Sequence, residues 1–194
     1  QSKFALVLIS SAILLVLGII DDINPIKART KLGGQILVAF ITVYFADIRI
    51  TNLYGILDIY TLPIGISYLL SIFLILTFIN SLNLIDGING LAASLSIIFF
   101  ALFALYFYNI SASFYVLISV SIIGALIAFL RYNLFNPSIF LGDSGSMNLG
   151  YFASIFCLIF LNTRENTIQH IPIYAPYGLM FCVFIIPLFD TMRV

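Results

Sequence analysis

The sequence predicts an all-α, polytopic membrane helix bundle of about seven transmembrane helices, with a small hairpin near residues 47–63 on its outer face. Three observations carry that expectation. Hydrophobic residues make up 62% of the 194 and charged residues 8%, whereas about a quarter of an ordinary soluble domain is charged. Mean hydropathy is +1.18, so lipid is the solvent for most of the chain. Seven apolar stretches approach or reach the roughly 17 to 25 helical residues that a hydrocarbon core about 30 Å thick requires. They are continuously apolar rather than alternating, which argues against the spanning strands of a barrel.

The first span, at 4–20, is flanked by Lys3 and has no small-residue cleavage site ahead of Asp21-Asp22, so it reads as retained rather than as a signal peptide. The second, at 32–46, is short and leans on the snorkelling stem of Lys31. Residues 47–63 place β-branched and aromatic residues around Tyr54-Gly55, the pattern of a surface hairpin. Further spans are expected at 63–80, 88–108, 113–130, 146–162 and 175–189. No repeat or linker divides the chain, so 1–194 reads as a single transmembrane catalytic domain, incomplete at both ends.

Eight basic and eight acidic residues cancel, which leaves no global field to attract nucleic acid. Cys157 and Cys182 lie in apolar runs without a CxxC or Cys/His cluster, the pattern of packing residues. Position tells more than total charge. Seven alternating spans put Lys27, Arg29, Lys31, Arg131 and Arg193 on one face and Lys3, Arg49 and Arg164 on the other, and the positive-inside rule makes the first face cytoplasmic. The same parity brings Asp21, Asp22, Asp86, Asp143 and Asp190 to that face, leaving Asp47, Asp58 and Glu165 opposite.

Three polar strings punctuate these spans. Asp21-Asp22 sits at the C-terminal end of a helix, where the helix dipole and mutual repulsion both disfavour it, so a cation is its natural partner. Taken alone, the pair fits equally well as solvated charge balanced by Lys27, Arg29 and Lys31. Between Asn80 and Leu91, amides and Asp86 recur among Gly87 and Gly90, a polar density that is costly in a membrane unless it lines a cavity. A capped helix-helix turn is its plainer reading. In Leu141-Gly142-Asp143-Ser144-Gly145, a helix start would cradle phosphate on its N–H groups while Asp143 holds a hard cation, although a simple N-cap explains part of it. Together these are the parts that phosphoryl transfer needs: charge neutralisation, a metal and positioned reactants.

The strings GIIDD with downstream ARTK, NSLNLIDGINGL, RYNLFNPSIFLGDSGS and IPLFDTMRV resemble, in order and across nearly the whole chain, the polyprenyl-phosphate N-acetylhexosamine-1-phosphate transferases. That resemblance implies transfer of a sugar-1-phosphate, N-acetylglucosamine-1-phosphate as the modal case, from a UDP-sugar to undecaprenyl phosphate in the bacterial cytoplasmic membrane. UMP leaves, and cell-envelope polysaccharide synthesis begins. It implies Asp21, Asp22, Asp86 and Asp143 as catalytic carboxylates. Lys31, Asn80, Asn89, Gly142 and Ser144 become substrate contacts. Asn83 and Asp143 become ligands of Mg2+, with Mn2+ as a substitute. A homodimer is compatible with such a bundle.

Two departures qualify the match. Asn89 stands where many bacterial members have a second aspartate, which removes one negative charge from the pocket. The family's basic loop with a histidine cluster is expected beyond Val194, and His170, placed on the opposite face by parity, does not replace it. Other classes account for less. An intramembrane aspartyl protease would use Asp143 and Asp190, but Phe140 replaces the first glycine of its Gly-x-Gly-Asp motif, and Asp21, Asp22 and the asparagine string go unused. A transporter would place ionisable residues near the midplane with an internal repeat, rather than at helix ends on one side.

Overall fold

The computed structural model describes residues 2–56, 58–134 and 137–167. In chain order these form α1 (Ser2–Ile23), α2 (Ala28–Phe40), β1 (Asn52–Ile56), β2 (Ile59–Thr61), α3 (Ile64–Ile85), α4 (Leu91–Asn109), α5 (Ser113–Asn133) and α6 (Gly142–Thr167). Five of the helices, α1 and α3 to α6, are long and apolar enough to cross a membrane. The all-α membrane bundle is therefore as expected, whereas a count of seven is not reached among the described residues. The span expected at 175–189 lies outside them, as do His170, Cys182, Asp190 and Arg193.

The second expected span is not one regular α-helix. Its 13-residue α2 passes into a π-helical turn at Ile41–Phe45. The Thr42 hydroxyl donates to the Val38 carbonyl at 2.9 Å and so receives the Tyr151 hydroxyl at 2.7 Å. A side chain bonded back onto the preceding turn competes with the backbone ladder, and the wider turn follows. Helix and turn together still run the length of the bundle: Lys31 meets the end of α1, and Asp47 meets Lys3 at its start. The hairpin forms as expected, with β1 antiparallel to β2 and Asn52 opposite Thr61.

The central element is α6, with 72% of the residues along its most apolar stretch buried, against 11% for α5 at the edge of the bundle. Glycine allows this centrality. A Cβ on Gly150 would lie 2.6 Å from the Ile79 Cα, and one on Gly18 would lie 2.5 Å from the Ser144 nitrogen, so α3 and α1 touch α6 backbone to backbone. On the remaining side an aromatic seam locks α4 to α6. Phe100 meets Phe156 edge-on at 5.5 Å and Phe103 meets Phe160 at 5.6 Å, the favoured geometry for such pairs.

Of the helix boundaries that differ from the sequence reading, two bear on function. Helix α3 continues to Ile85 rather than ending near 80, because Asn80 and Asn83 find side-chain partners on neighbouring helices and need not break the ladder. Helix α6 begins at Gly142 rather than 146, because carboxylates from elsewhere in the chain satisfy its first N–H groups.

Candidate active site

Asp21 occupies the last turn of α1, and its side chain is only 8% exposed. Its Oδ1 accepts the Ile26 N–H at 2.8 Å, which folds the α1–α2 connection back over it. Lys31, in the first turn of α2, then reaches into the bundle. Its Nζ lies 3.1 Å from Asp21 Oδ2, 2.8 Å from Asp143 Oδ1 and 3.2 Å from Asn83 Oδ1. The Asn83 amide donates in turn to Asp143 and, at 2.8 Å, to the Ser146 hydroxyl. Four helix ends, from α1, α2, α3 and α6, thus meet around a single ammonium.

Asp22 and Asp86 lie beside this group and have a different task. The Asp22 carboxylate accepts the Asp143 N–H at 2.8 Å and the Ser144 N–H at 3.1 Å, while Asp86 accepts the N–H of Gly142. The first N–H groups of α6, expected to cradle a phosphate, are therefore taken by carboxylates of the same chain. The positive end of the helix dipole and its unsatisfied donors attract any nearby anion, and Asp22 is the adjacent one. Gly142 is required here, since its φ is +68° and a Cβ would sit 2.8 Å from Asp22 Oδ2. Asp86 lies just past α3, half buried. Burial pushes its carboxyl from 3.8 up to about 6; the Gly142 N–H opposes that rise, and the charges of Asp143 and Asp22 add to it.

The remaining expected residues divide. Ser144 contributes its N–H to Asp22, as described. Asn80 lies one turn deeper along α3 and donates to Gln35 Oε1 at 2.9 Å and to the Leu76 carbonyl at 2.8 Å, away from Lys31. Asn89 is exposed on the α3–α4 connection, outside the group around Lys31. Three residues that the sequence reading gave no role have defined places. Ser146 and Gln35 are fully buried, and Asn133 accepts the Gly90 N–H at 2.6 Å while donating to the Ile139 carbonyl at 2.9 Å, tying the two loops on this face together. For Gln35 a signal existed: it stands four residues after Lys31, on the same face of α2.

Two carboxylates, Asp21 and Asp143, pair with one ammonium, and Asp22 and Asp86 lie beside them against the start of α6, so the site carries surplus negative charge. Among the described residues no three His, Cys, Asp or Glu side chains group closely enough to hold a metal by themselves. The donors around the Lys31 position are instead two carboxylates and an amide oxygen, a hard-oxygen set. That arrangement fits magnesium, which keeps several waters and is commonly anchored by one or two carboxylates plus substrate phosphates.

Comparison with known sequences bears directly on this geometry. The family described as glycosyl transferase family 4 matches residues 4–161. The chain belongs to that family. Among family 4 relatives, a phospho-N-acetylmuramoyl-pentapeptide-transferase of Thermoanaerobacter sp. (strain X514) is 40% identical over 131 residues, 64% of this chain and 40% of its own. A probable undecaprenyl-phosphate N-acetylglucosaminyl 1-phosphate transferase of Bacillus subtilis (strain 168) is 30% identical over 98% of this chain and 51% of its own. A decaprenyl-phosphate N-acetylglucosaminephosphotransferase of Mycobacterium tuberculosis (strain CDC 1551 / Oshkosh) is 30% identical over 96% and 50%. The chain spans about half the length, or less, of these relatives.

Proposed function

We propose that this chain carries the membrane-embedded catalytic core that moves a sugar-1-phosphate, N-acetylglucosamine-1-phosphate in the first instance, from a UDP-sugar to undecaprenyl phosphate. The observation that supports this reading most is the meeting of Asp21, Lys31, Asn83 and Asp143 from four helix ends at one end of a membrane bundle. One substrate is water-soluble and the other arrives in the bilayer, so a polar site at a membrane rim meets both. On the positive-inside assignment that rim is cytoplasmic.

In the proposed reaction an oxygen of the lipid phosphate attacks the sugar-bearing phosphorus. A new P–O bond forms, the bond from that phosphorus to the bridging oxygen breaks, and UMP leaves with that oxygen. Lys31 neutralises charge on the diphosphate, and Asp21 holds the Lys31 ammonium in place from the α1 side. A phosphate monoester is already anionic near neutral pH, so the aspartates are needed for orientation and cation holding more than for proton removal. Asp143 and the Asn83 oxygen would hold Mg2+, or Mn2+, which when bound supplies further neutralisation of the diphosphate oxygens. Asp22 serves by fixing the α6 N-terminus, and therefore Asp143, in register.

Membranes containing the full-length protein should exchange labelled UMP into UDP-N-acetylglucosamine only when both undecaprenyl phosphate and magnesium are supplied. Exchange that proceeds without the lipid phosphate would remove the proposed acceptor, and no exchange with any UDP-hexosamine would remove the reaction.

A further inference from the structure

Below the group around Lys31, three of the same four helices form a second layer around buried amides. Gln35 follows Lys31 by one turn on α2, Asn80 precedes Asn83 by one turn on α3, and Met147 follows Asp143 by one turn on α6. The Asn80 amide donates to Gln35 Oε1 at 2.9 Å, and Gln35 Nε2 contacts the Met147 sulfur at 3.5 Å. Gln35 is fully buried in the apolar interior, where an amide is retained only if its hydrogen bonds outweigh desolvation. An apolar side chain of similar volume would pack there at less cost, so packing alone does not explain the amide.

We infer that Gln35 is a positioning residue for the transfer reaction, holding α2 in register against α3 so that the Lys31 ammonium meets Asp21, Asn83 and Asp143. The inference rests on the proposed function for its kinetic consequence but not for its geometry. Residues four apart on a helix share a face, so the Gln35–Asn80 bond sets both the rotation of α2 and the height of Lys31. Lys has a long, flexible stem and cannot find this position unaided.

The test uses the full-length protein in membranes, with Gln35→Met as a near-isosteric, lipid-compatible change. Turnover should fall on the order of tenfold to a hundredfold, as for small displacements of a reacting group, while KM for the UDP-sugar and the thermal midpoint stay near wild type. The exchanged pair Gln35→Asn with Asn80→Gln should recover much of the loss. In a Lys31→Met background, Gln35→Met should cost no further activity, because residues acting as one unit are non-additive. A full additional loss in that background would overturn the inference. A readout independent of transfer is the acylation rate of Lys31, followed by peptide mass spectrometry with Lys3 as internal control. Gln35→Met should accelerate Lys31 labelling several-fold and leave Lys3 unchanged. An unchanged Lys31 rate overturns the positioning role even where transfer by the wild type is confirmed, and an accelerated rate upholds it even where no transfer is found.

Discussion

At one end of the bundle Lys3, Asp47 and Arg49 form an ionic cluster; at the other, Asp21 and Asp143 pair with Lys31, and Asp22 and Asp86 lie beside them against the start of α6. The first is satisfied within itself. Asp47 takes the Arg49 guanidinium at 2.8 Å and Lys3 at 3.6 Å, and Arg49 spends its other groups on the Ser67 hydroxyl and the Tyr68 ring. Its hydrogen bond to Arg49 comes first in holding the Asp47 carboxyl below the usual range; burial, next in size, opposes it, and the charges of Arg49 and Lys3 add to the lowering. More than half of the Asp47 side chain is exposed, so solvent screens what these contacts contribute. The second cluster is less exposed, has more carboxylates than cations, and draws its members from four separate helices. Charge of that kind is costly to a fold, and it persists where a ligand completes it. The two ends therefore teach how a solvent-screened anchor with one cation in excess differs from a group with carboxylates in excess, the one proposed above to take a cation and phosphates.

Replacing one aspartate at each end should separate them most sharply. Asp143→Asn is expected to lower turnover on the order of a hundredfold or more, while Asp47→Asn leaves it within a factor of about three, both read by UMP exchange. Equal losses would erase the distinction. Gly142→Ala comes next, because it forces a side chain into a left-handed conformation and against Asp22; a destabilisation of about 1–3 kcal/mol is expected from thermal unfolding in detergent. A smaller cost, about 1 kcal/mol, is expected for Asp22→Ala, with Asp22→Asn recovering much of it because an amide oxygen still caps α6. Identical stabilities for the two variants would argue against the capping role.

The remaining effect concerns pH. Asp86 has a folded-state value raised from 3.8 to about 6, so between those values the folded chain binds a proton that the unfolded chain has lost. Its contribution is a penalty that grows as pH rises through that window and is relieved as pH falls. Asp86→Asn should accordingly raise the thermal midpoint at pH 7 relative to wild type and make no comparable difference near pH 4. A stabilisation confined to low pH would reverse the assignment.

Much of this arrangement is legible in the linear sequence because a membrane restricts the alternatives. Apolar runs fix helices, alternation fixes sides, and Asp21, Asp86 and Asp143 fall on one side before any contact is known. Pairing is not legible in the same way. Adjacent Asp21 and Asp22 read as one unit, yet successive helical residues point about 100° apart, so one faces Lys31 and the other faces the start of α6. Asn80 and Asn83 read as one polar string, yet each answers a different partner on α2. Gln35, alone in an apolar run, forms no motif, and its significance depends on Asn80, which is distant in the chain and on another helix. The boundary of α2 was likewise hidden, since nothing in the apolar run marks the Thr42 hydroxyl for the bond to the Val38 carbonyl that accompanies its π-helical turn.

The most direct test of the central claim, that the Lys31-centred group is an anionic site completed by a divalent cation, is Mn2+ binding measured by electron paramagnetic resonance on the full-length protein in nanodiscs. The wild type and Asp47→Asn should bind the ion alike, and Asp143→Asn should lose it by tenfold or more in affinity, about 1.4 kcal/mol. Undiminished binding by Asp143→Asn would contradict the account.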